Sequence, residues 1–193
     1  MRYDPLNHHR RSTRLEGRNY AQPGMYCVTI CTHERECALG KIEDGKMRLS
    51  REGEIIQPWW MEIRAHFQHV EIDSFVIMPN HIHAIVTLKP GRGEVSSPRS
   101  PQYTSTTTRK PQGDGTSPLP KWEPTLGQVI AYFKYQSTKA VNEIEGTFRA
   151  KFWQRGFYDH VIRDKADLTR TRRYILENPI NWPLDDDNPQ NRK

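Results

Sequence analysis

The chain has 193 residues, with 29 Lys and Arg against 23 Asp and Glu, a formal charge of +6 and a pI near 9.3. That length suits one globular domain with extensions and is short for two independent cores, while the basic balance favours an anionic partner, nucleic acid being the commonest. The arginine-rich start lacks the apolar stretch of a secretion signal and no segment has the apolar length of a membrane span, so a cytoplasmic protein is expected.

Residues 1–19 read as a basic arm bearing Arg10, Arg11 and Arg14. His8 and His9 in that arm point in different directions and receive no metal role. GMYCVTICT alternates and is rich in β-branched residues, the pattern of a buried first strand. Cys27 and Cys31 fall within it, where four residues separate side chains by roughly 13 Å, too far for one metal or one disulfide. With Cys37 the cysteine count is odd, and all three are expected as reduced thiols. KMRLS can form a short second strand. Ser50 is the expected N-cap of a helix through IIQPWWMEIRAHF, with Pro58 expected to bend or delay it. VEIDSFVIMPNHIHAIVTL divides at the turn chemistry of Pro79-Asn80 into two strands expected to pair antiparallel.

From about residue 89 to 121 the chain becomes rich in Pro, Gly, Ser and Thr and poor in large apolar residues. Such a stretch cannot offset its own ordering entropy, so a disordered insertion within the domain is expected. Thr125 with Gln128 makes a capping box for a helix through LGQVIAYFKYQSTKAVNEI, which carries Lys134 and Lys139. FWQRGFYDHVIR reads as a final strand, and Asp164 caps a last helix, KADLTRTRRYILEN, expected to end near Asn178-Pro179. The domain is thus expected over 20–182, with 183–193 a flexible tail. Strand, helix, paired strands, helix, strand and helix in that order suit a ferredoxin-like α+β sandwich, an antiparallel sheet with helices packed on one face.

Alternate strand residues share a face, so His81 and His83 present two imidazoles about 6.6 Å apart at the backbone with Ile82 turned to the core, a spacing from which both rings can reach one cation. Neighbouring histidines also occur on strands without a metal. Tyr174 and Asn178, four apart on the last helix, place a phenol and a carboxamide on one face. A tyrosine is a sluggish nucleophile because its pKa lies near 10, but a cation that polarises a phosphodiester makes its attack feasible. A packed tyrosine followed by an Asn stop signal is the plainer alternative. Tyr132 and Gln136 repeat the same spacing on the earlier helix.

The run MPNHIHAIV, followed in order by LGQVIAYFKYQSTK, FWQRGFYDHVIR and RRYILENP, resembles the single-tyrosine HUH transposases of the IS200-like superfamily, and within it the REP-associated tyrosine transposases of bacteria. The resemblance runs from about Tyr20 to Trp182. It implies that His81 and His83 bind Mg²⁺ or Mn²⁺, and that Tyr174 attacks phosphorus to leave a 5′-phosphotyrosine and a free 3′-hydroxyl. It implies that Asn178 assists the metal, where IS200-type relatives carry the longer Gln. It also puts Tyr132 on a DNA-contacting helix, leaving Tyr174 as the nucleophile. The implied partner is single-stranded DNA bearing a hairpin, met by a nucleoid-associated monomer or homodimer. Arg10, Arg11, Arg14, Lys134, Lys139 and Arg155 are the candidates for phosphate contact, and Trp153, Phe157 and Tyr158 for base stacking. His160 has two readings, support of the metal site or shaping of a turn. The competing functions are a hairpin-binding module that does not cut, an HUH enzyme of replication or plasmid transfer, and a phosphoesterase in which the histidines activate water.

Overall fold

The computed structural model describes residues 22–90, 124–148 and 150–191. The basic arm with Arg10, Arg11 and Arg14, and the insertion apart from Lys89 and Pro90, lie outside the described residues. Strand β1 (Gly24–Cys31) follows its alternation: Tyr26, Val28 and Ile30 are fully buried in the main core, while Met25 and Cys27 face a smaller cluster across the sheet. A hairpin of β2 (Gly40–Glu43) and β3 (Lys46–Leu49) comes next. Its first strand was not expected, although Asp44-Gly45 signals it, both residues having the positive φ (50° and 69°) that a two-residue hairpin turn requires.

Helix α1 (Arg51–His66) starts where Ser50 Oγ accepts from the Gly53 N–H at 3.1 Å. Pro58 does not delay it. The ring sits inside the helix on an exposed position, where the carbonyl it leaves without a donor can reach water. Strands β4 (Val70–Ile77) and β5 (His81–Leu88) pair antiparallel as expected, with a bulge at Asp73 and Ser74. The extra residue reverses the side-chain parity, so Val70 and Ile72 before it and Phe75 and Ile77 after it all join the main core. Helix α2 (Leu126–Glu145) opens on the Thr125–Gln128 capping box and ends at Gly146 in the left-handed region.

Strand β6 (Tyr158–Ile162) is shorter than FWQRGFYDHVIR suggested. Ahead of it, Trp153 bridges to Thr32 and donates its indole N–H to Ser137 Oγ at 2.9 Å, so packing replaces a longer ladder. Helix α3 (Lys165–Asn181) is capped by Asp164 as expected but runs past Asn178-Pro179, because a proline so near the end removes only one late helix bond. Residues 183–191 do not form the loose tail expected of 183–193. They fold into 3-10 turns at Trp182–Leu184 and Pro189–Asn191, with Asn188 buried between them and donating to the Trp182 carbonyl.

The sheet order is β4-β5-β1-β6 with every neighbouring pair antiparallel, and the succession β1-α1-β4-β5-α2-β6 is the ferredoxin-like βαββαβ unit. Helices α1 and α2 cover one face over the main core, as expected. Helix α3 lies against the other face, its Ile175 packed with Ile85 and Ile162. Among the described residues no helix is long and apolar enough to cross a membrane.

Ile82 is fully buried in the main core, so Ile82→Ala should cost about 2–5 kcal/mol, read as a lower urea midpoint at unchanged slope. Across the α3 face, Arg172 holds both oxygens of Asp73 at the β4 bulge, at 2.9 and 2.6 Å. That guanidinium keeps the Asp73 carboxyl below its ordinary range. The stabilisation it brings is present above the unfolded carboxyl pKa and is lost as pH falls through the folded one. The melting temperature of Arg172→Ala should therefore lie below wild type at neutral pH, and the gap should close on acidification.

Candidate active site

Strand β5 runs through the middle of the sheet, buried on both sides, and its pleat sends Ile82 and Ala84 to the main core and His81 and His83 to the α3 face. There the two imidazoles meet: the Nε2 atoms are 2.9 Å apart, with His81 fully buried and His83 nearly so. His83 Nδ1 lies 2.8 Å from the Thr29 hydroxyl, directly across on β1, and that hydroxyl can donate or accept to suit either tautomer. Burial pushes the His83 imidazole down to about 4, and burial reinforced by the His83 ring pushes His81 down as well, so both are neutral in the form that ligates a metal.

Helix α3 brings Tyr174 over this pair. Its phenol oxygen is 3.1 Å from His83 Nε2 and its ring packs edge-on to that imidazole, while half its surface stays open to solvent. One turn on, Asn178 is buried, and its Oδ1 has no hydrogen-bond partner. Burial raises the phenol pKa, opposed by the Asn178 amide and reinforced by Asp185. The phenol is therefore protonated at neutral pH.

Sequence reasoning missed the third component of this group, a carboxylate. After α3 the Trp182–Leu184 turn swings the chain back, and a carboxylate oxygen of Asp185 comes within 4.8 Å of ligand atoms of His81 and His83. The run of three aspartates shortly after the last helix was the available signal. The turn is held by Asp187 N–H donating to Asp185 Oδ1 at 2.7 Å and by an ion pair between Asp187 and Arg35. His83, Tyr174, Asn178, Arg35 and the aspartates line an open cleft of about 570 Å³ together with Thr29, Tyr158, Asn181 and Leu184, and His81 lies buried behind His83.

The donor set suits a hard or borderline divalent cation. Bonds of about 2.0–2.1 Å at right angles put neighbouring ligand atoms roughly 2.9–3.0 Å apart, the separation of the two Nε2 atoms. Two facing imidazole lone pairs at that distance repel unless a proton or a cation lies between them, and a buried amide oxygen without a partner fits the same shell. All of these groups belong to one chain.

The other expected site residues are distributed unevenly. Lys134 is partly buried and gives its ammonium to the carbonyls of Gln154 and Gly156 at 2.9 and 2.5 Å, tying α2 to the segment before β6. Lys139 pairs with Glu143 on α2, in the layer across the sheet from the cleft. Arg155 is exposed just before β6. Trp153 and Phe157 are core residues and not exposed stacking platforms, whereas Tyr158 is half exposed at the cleft. Tyr132, the second tyrosine with the same spacing, stacks on His66 at 4.0 Å between ring centres in the helical layer and does not meet the histidine pair. His160 pairs with Asp167, which also accepts from the Arg163 N–H, so it shapes the turn into α3.

No family model matches the chain. An uncharacterised protein of Haemophilus influenzae is 36% identical over 185 residues, covering 95% of this chain and 96% of its own length. Among solved structures, a REP-associated tyrosine transposase bound to a REP hairpin superposes with a TM-score of 0.53 at 19% identity, over 87% of this chain and 74% of that one. The two share a fold. A Deinococcus radiodurans structure described as a transposase gives a TM-score of 0.43 at 12% identity, over 86% of this chain and 98% of that one, a likeness too loose to argue from.

A cation held by these groups stabilises the folded chain. Mn²⁺ at about a hundredfold its dissociation constant should add about 2.7 kcal/mol. The gain, followed as a melting-temperature shift, should shrink in Asp185→Asn and vanish when His81 and His83 are both changed to Gln.

Proposed function

The chain belongs to one family with its Haemophilus influenzae relative, and we propose that it is a metal-dependent transesterase that nicks and rejoins single-stranded DNA at hairpin-forming sites through a covalent bond to Tyr174. The observation that carries this reading is the convergence of a half-exposed phenol, two neutral imidazoles, a carboxylate and a partnerless amide oxygen on one cleft. A hydrolase needs a general base and a water; nothing in that function calls for a tyrosine hydroxyl over the ligand set.

His81, His83 and Asp185 would hold Mg²⁺ or Mn²⁺, with Asn178 Oδ1 completing the protein's share of the shell. When bound, the ion supplies Lewis acidity toward a non-bridging phosphate oxygen and offsets the charge that develops on phosphorus. The chain's own groups do the rest. Helix α3 holds Tyr174 so that its oxygen faces the phosphate site, and the Asn178 amide beside the phenol favours its ionised form. As the phenolic oxygen bonds to phosphorus, the bond from phosphorus to the 3′-oxygen breaks, and the 3′-oxygen takes up a proton to match the one the phenol gives up. The 5′-phosphate remains on Tyr174. Because one phosphodiester is exchanged for another, a later 3′-hydroxyl can reverse the step without ATP.

The same cleft is acidic, with Asp185, Asp186 and Asp187 along it, and would repel a phosphate backbone unless a cation and basic groups compensated. Arg35 at the cleft and Arg155, exposed before β6, are proposed to contact that backbone. Arg10, Arg11 and Arg14 of the arm are proposed to extend the contact. A hairpin-bearing strand fits the requirement for unpaired DNA at the nick beside a duplex that positions it, in keeping with the hairpin bound by the transposase of the same fold. Since one chain supplies every group of the site, a monomer suffices for the chemistry.

A labelled single strand with a hairpin, mixed with the protein and Mn²⁺, should give a denaturant-resistant protein–DNA adduct that Tyr174→Phe abolishes. Replacing His81 or His83 by Gln should slow adduct formation by about a thousandfold, the several kcal/mol a Lewis acid contributes. Cleavage that persists in Tyr174→Phe would show a phosphoesterase instead, and binding without cleavage by the wild type would show a hairpin-recognition module.

A further inference from the structure

Asn80 enters the sequence only as the second residue of the Pro79-Asn80 turn, yet it is fully buried, and both polar atoms of its side chain are engaged. Its side-chain nitrogen lies 3.1 Å from the Arg35 carbonyl and 2.7 Å from the Asp187 carbonyl. Both are oxygens that can only accept, so the NH₂ group faces them and the amide orientation has no freedom. Asn80 Oδ1 therefore faces His81 Nδ1, 2.8 Å away. An amide oxygen only accepts as well. The hydrogen on that bond must belong to His81 Nδ1, which leaves Nε2, the atom turned toward His83, with its lone pair bare. The Asn80 main chain is held too: its carbonyl accepts from the Thr32 N–H at 2.9 Å and the Thr32 hydroxyl at 3.0 Å.

We propose that Asn80 is a positioning residue that sets the His81 tautomer for ligation through Nε2 and clamps the turn after α3 so that Asp185 stands beside it. One side chain thereby joins three segments distant in sequence: the loop at Arg35, the start of β5 and the turn at Asp187. A ligating imidazole whose other nitrogen donates to a fixed acceptor is oriented and made more basic. Here the acceptor is itself fixed by two carbonyls, one of them on the segment that delivers the third ligand. The significance of this arrangement rests on the cation site proposed above, but the tautomer is a property of the metal-free protein and is measured there.

Long-range ¹⁵N–¹H correlation spectra of the metal-free full chain at neutral pH, with His81 assigned by comparison with His81→Gln, should show a protonated Nδ1 and a bare Nε2. In Asn80→Ala the proton should redistribute toward Nε2, and the Mn²⁺ dissociation constant, read from the free-ion electron spin resonance signal, should rise by about 10–100-fold. Asn80→Asp keeps an acceptor opposite His81 and should restore the Nδ1–H tautomer, while its second oxygen, set against the Arg35 and Asp187 carbonyls, should leave Mn²⁺ affinity below wild type; a purely structural role for the amide would not restore the tautomer. Folded Asn80→Ala with an unchanged tautomer and Mn²⁺ affinity within about twofold of wild type would overturn the proposal, as would a wild-type His81 protonated on Nε2. If Asn80→Ala fails to fold, the wild-type spectrum and Asn80→Asp decide. The wild-type tautomer as stated, in a protein that forms no DNA adduct, would refute the nicking reading and leave this one standing; an adduct from a protein with Nε2–H on His81 would do the reverse.

Discussion

The two-sided burial of β5 is the constraint on which the rest depends. A central strand with an apolar helical layer on one side cannot slip by one residue without turning Ile82, Ala84 and Val86 out of the core, so its register is held by the whole main cluster. The same pleat leaves His81 and His83 no choice but the opposite face. Two imidazoles in contact on a buried strand would be a poor use of core space by themselves. They are tolerated because Thr29, Asn80 and Tyr174 supply partners on every side and because α3 closes over only part of the face, leaving a cleft.

The electrostatics of that cleft follow from the same burial. Desolvation keeps the imidazoles neutral and the phenol protonated, and it raises the Asp185 carboxyl, with Asp186 adding to the effect and Arg35 opposing it. A site of neutral nitrogens, an acidic rim and a partnerless amide oxygen gains most from a divalent cation, which relieves the aspartates and occupies the lone pairs in one step. An anionic backbone can approach only after that compensation. On the function proposed above, a cation would therefore bind before nucleic acid.

Much of the fold was legible because its signals are local. Ser50, Thr125 with Gln128, and Asp164 cap their own helices through bonds spanning three residues, and the alternation along β1 and β5 states which side chains share a face. The misread places are those where packing outweighed a local rule. Helix α3 passes through Pro179 because the ring there removes only one late helix bond, and FWQRGF stays irregular because Trp153 has a pocket and a hydroxyl partner waiting.

The sequence by itself determined the chemistry available: two imidazoles one pleat apart, a phenol one turn from a carboxamide, and a resemblance that joined them. It also determined the βαββαβ order, since periodicity and caps are written in neighbouring residues. Only the tertiary structure decided that α3 lies on the face away from α1 and α2, which is what lets Tyr174 reach His83 while Tyr132 stays in the opposite layer. It alone brought Asp185 and Asn80 into the site, because those contacts bridge segments as far apart as Asn80 and Asp187. Contacts of that reach depend on how whole layers pack, and no local pattern encodes them.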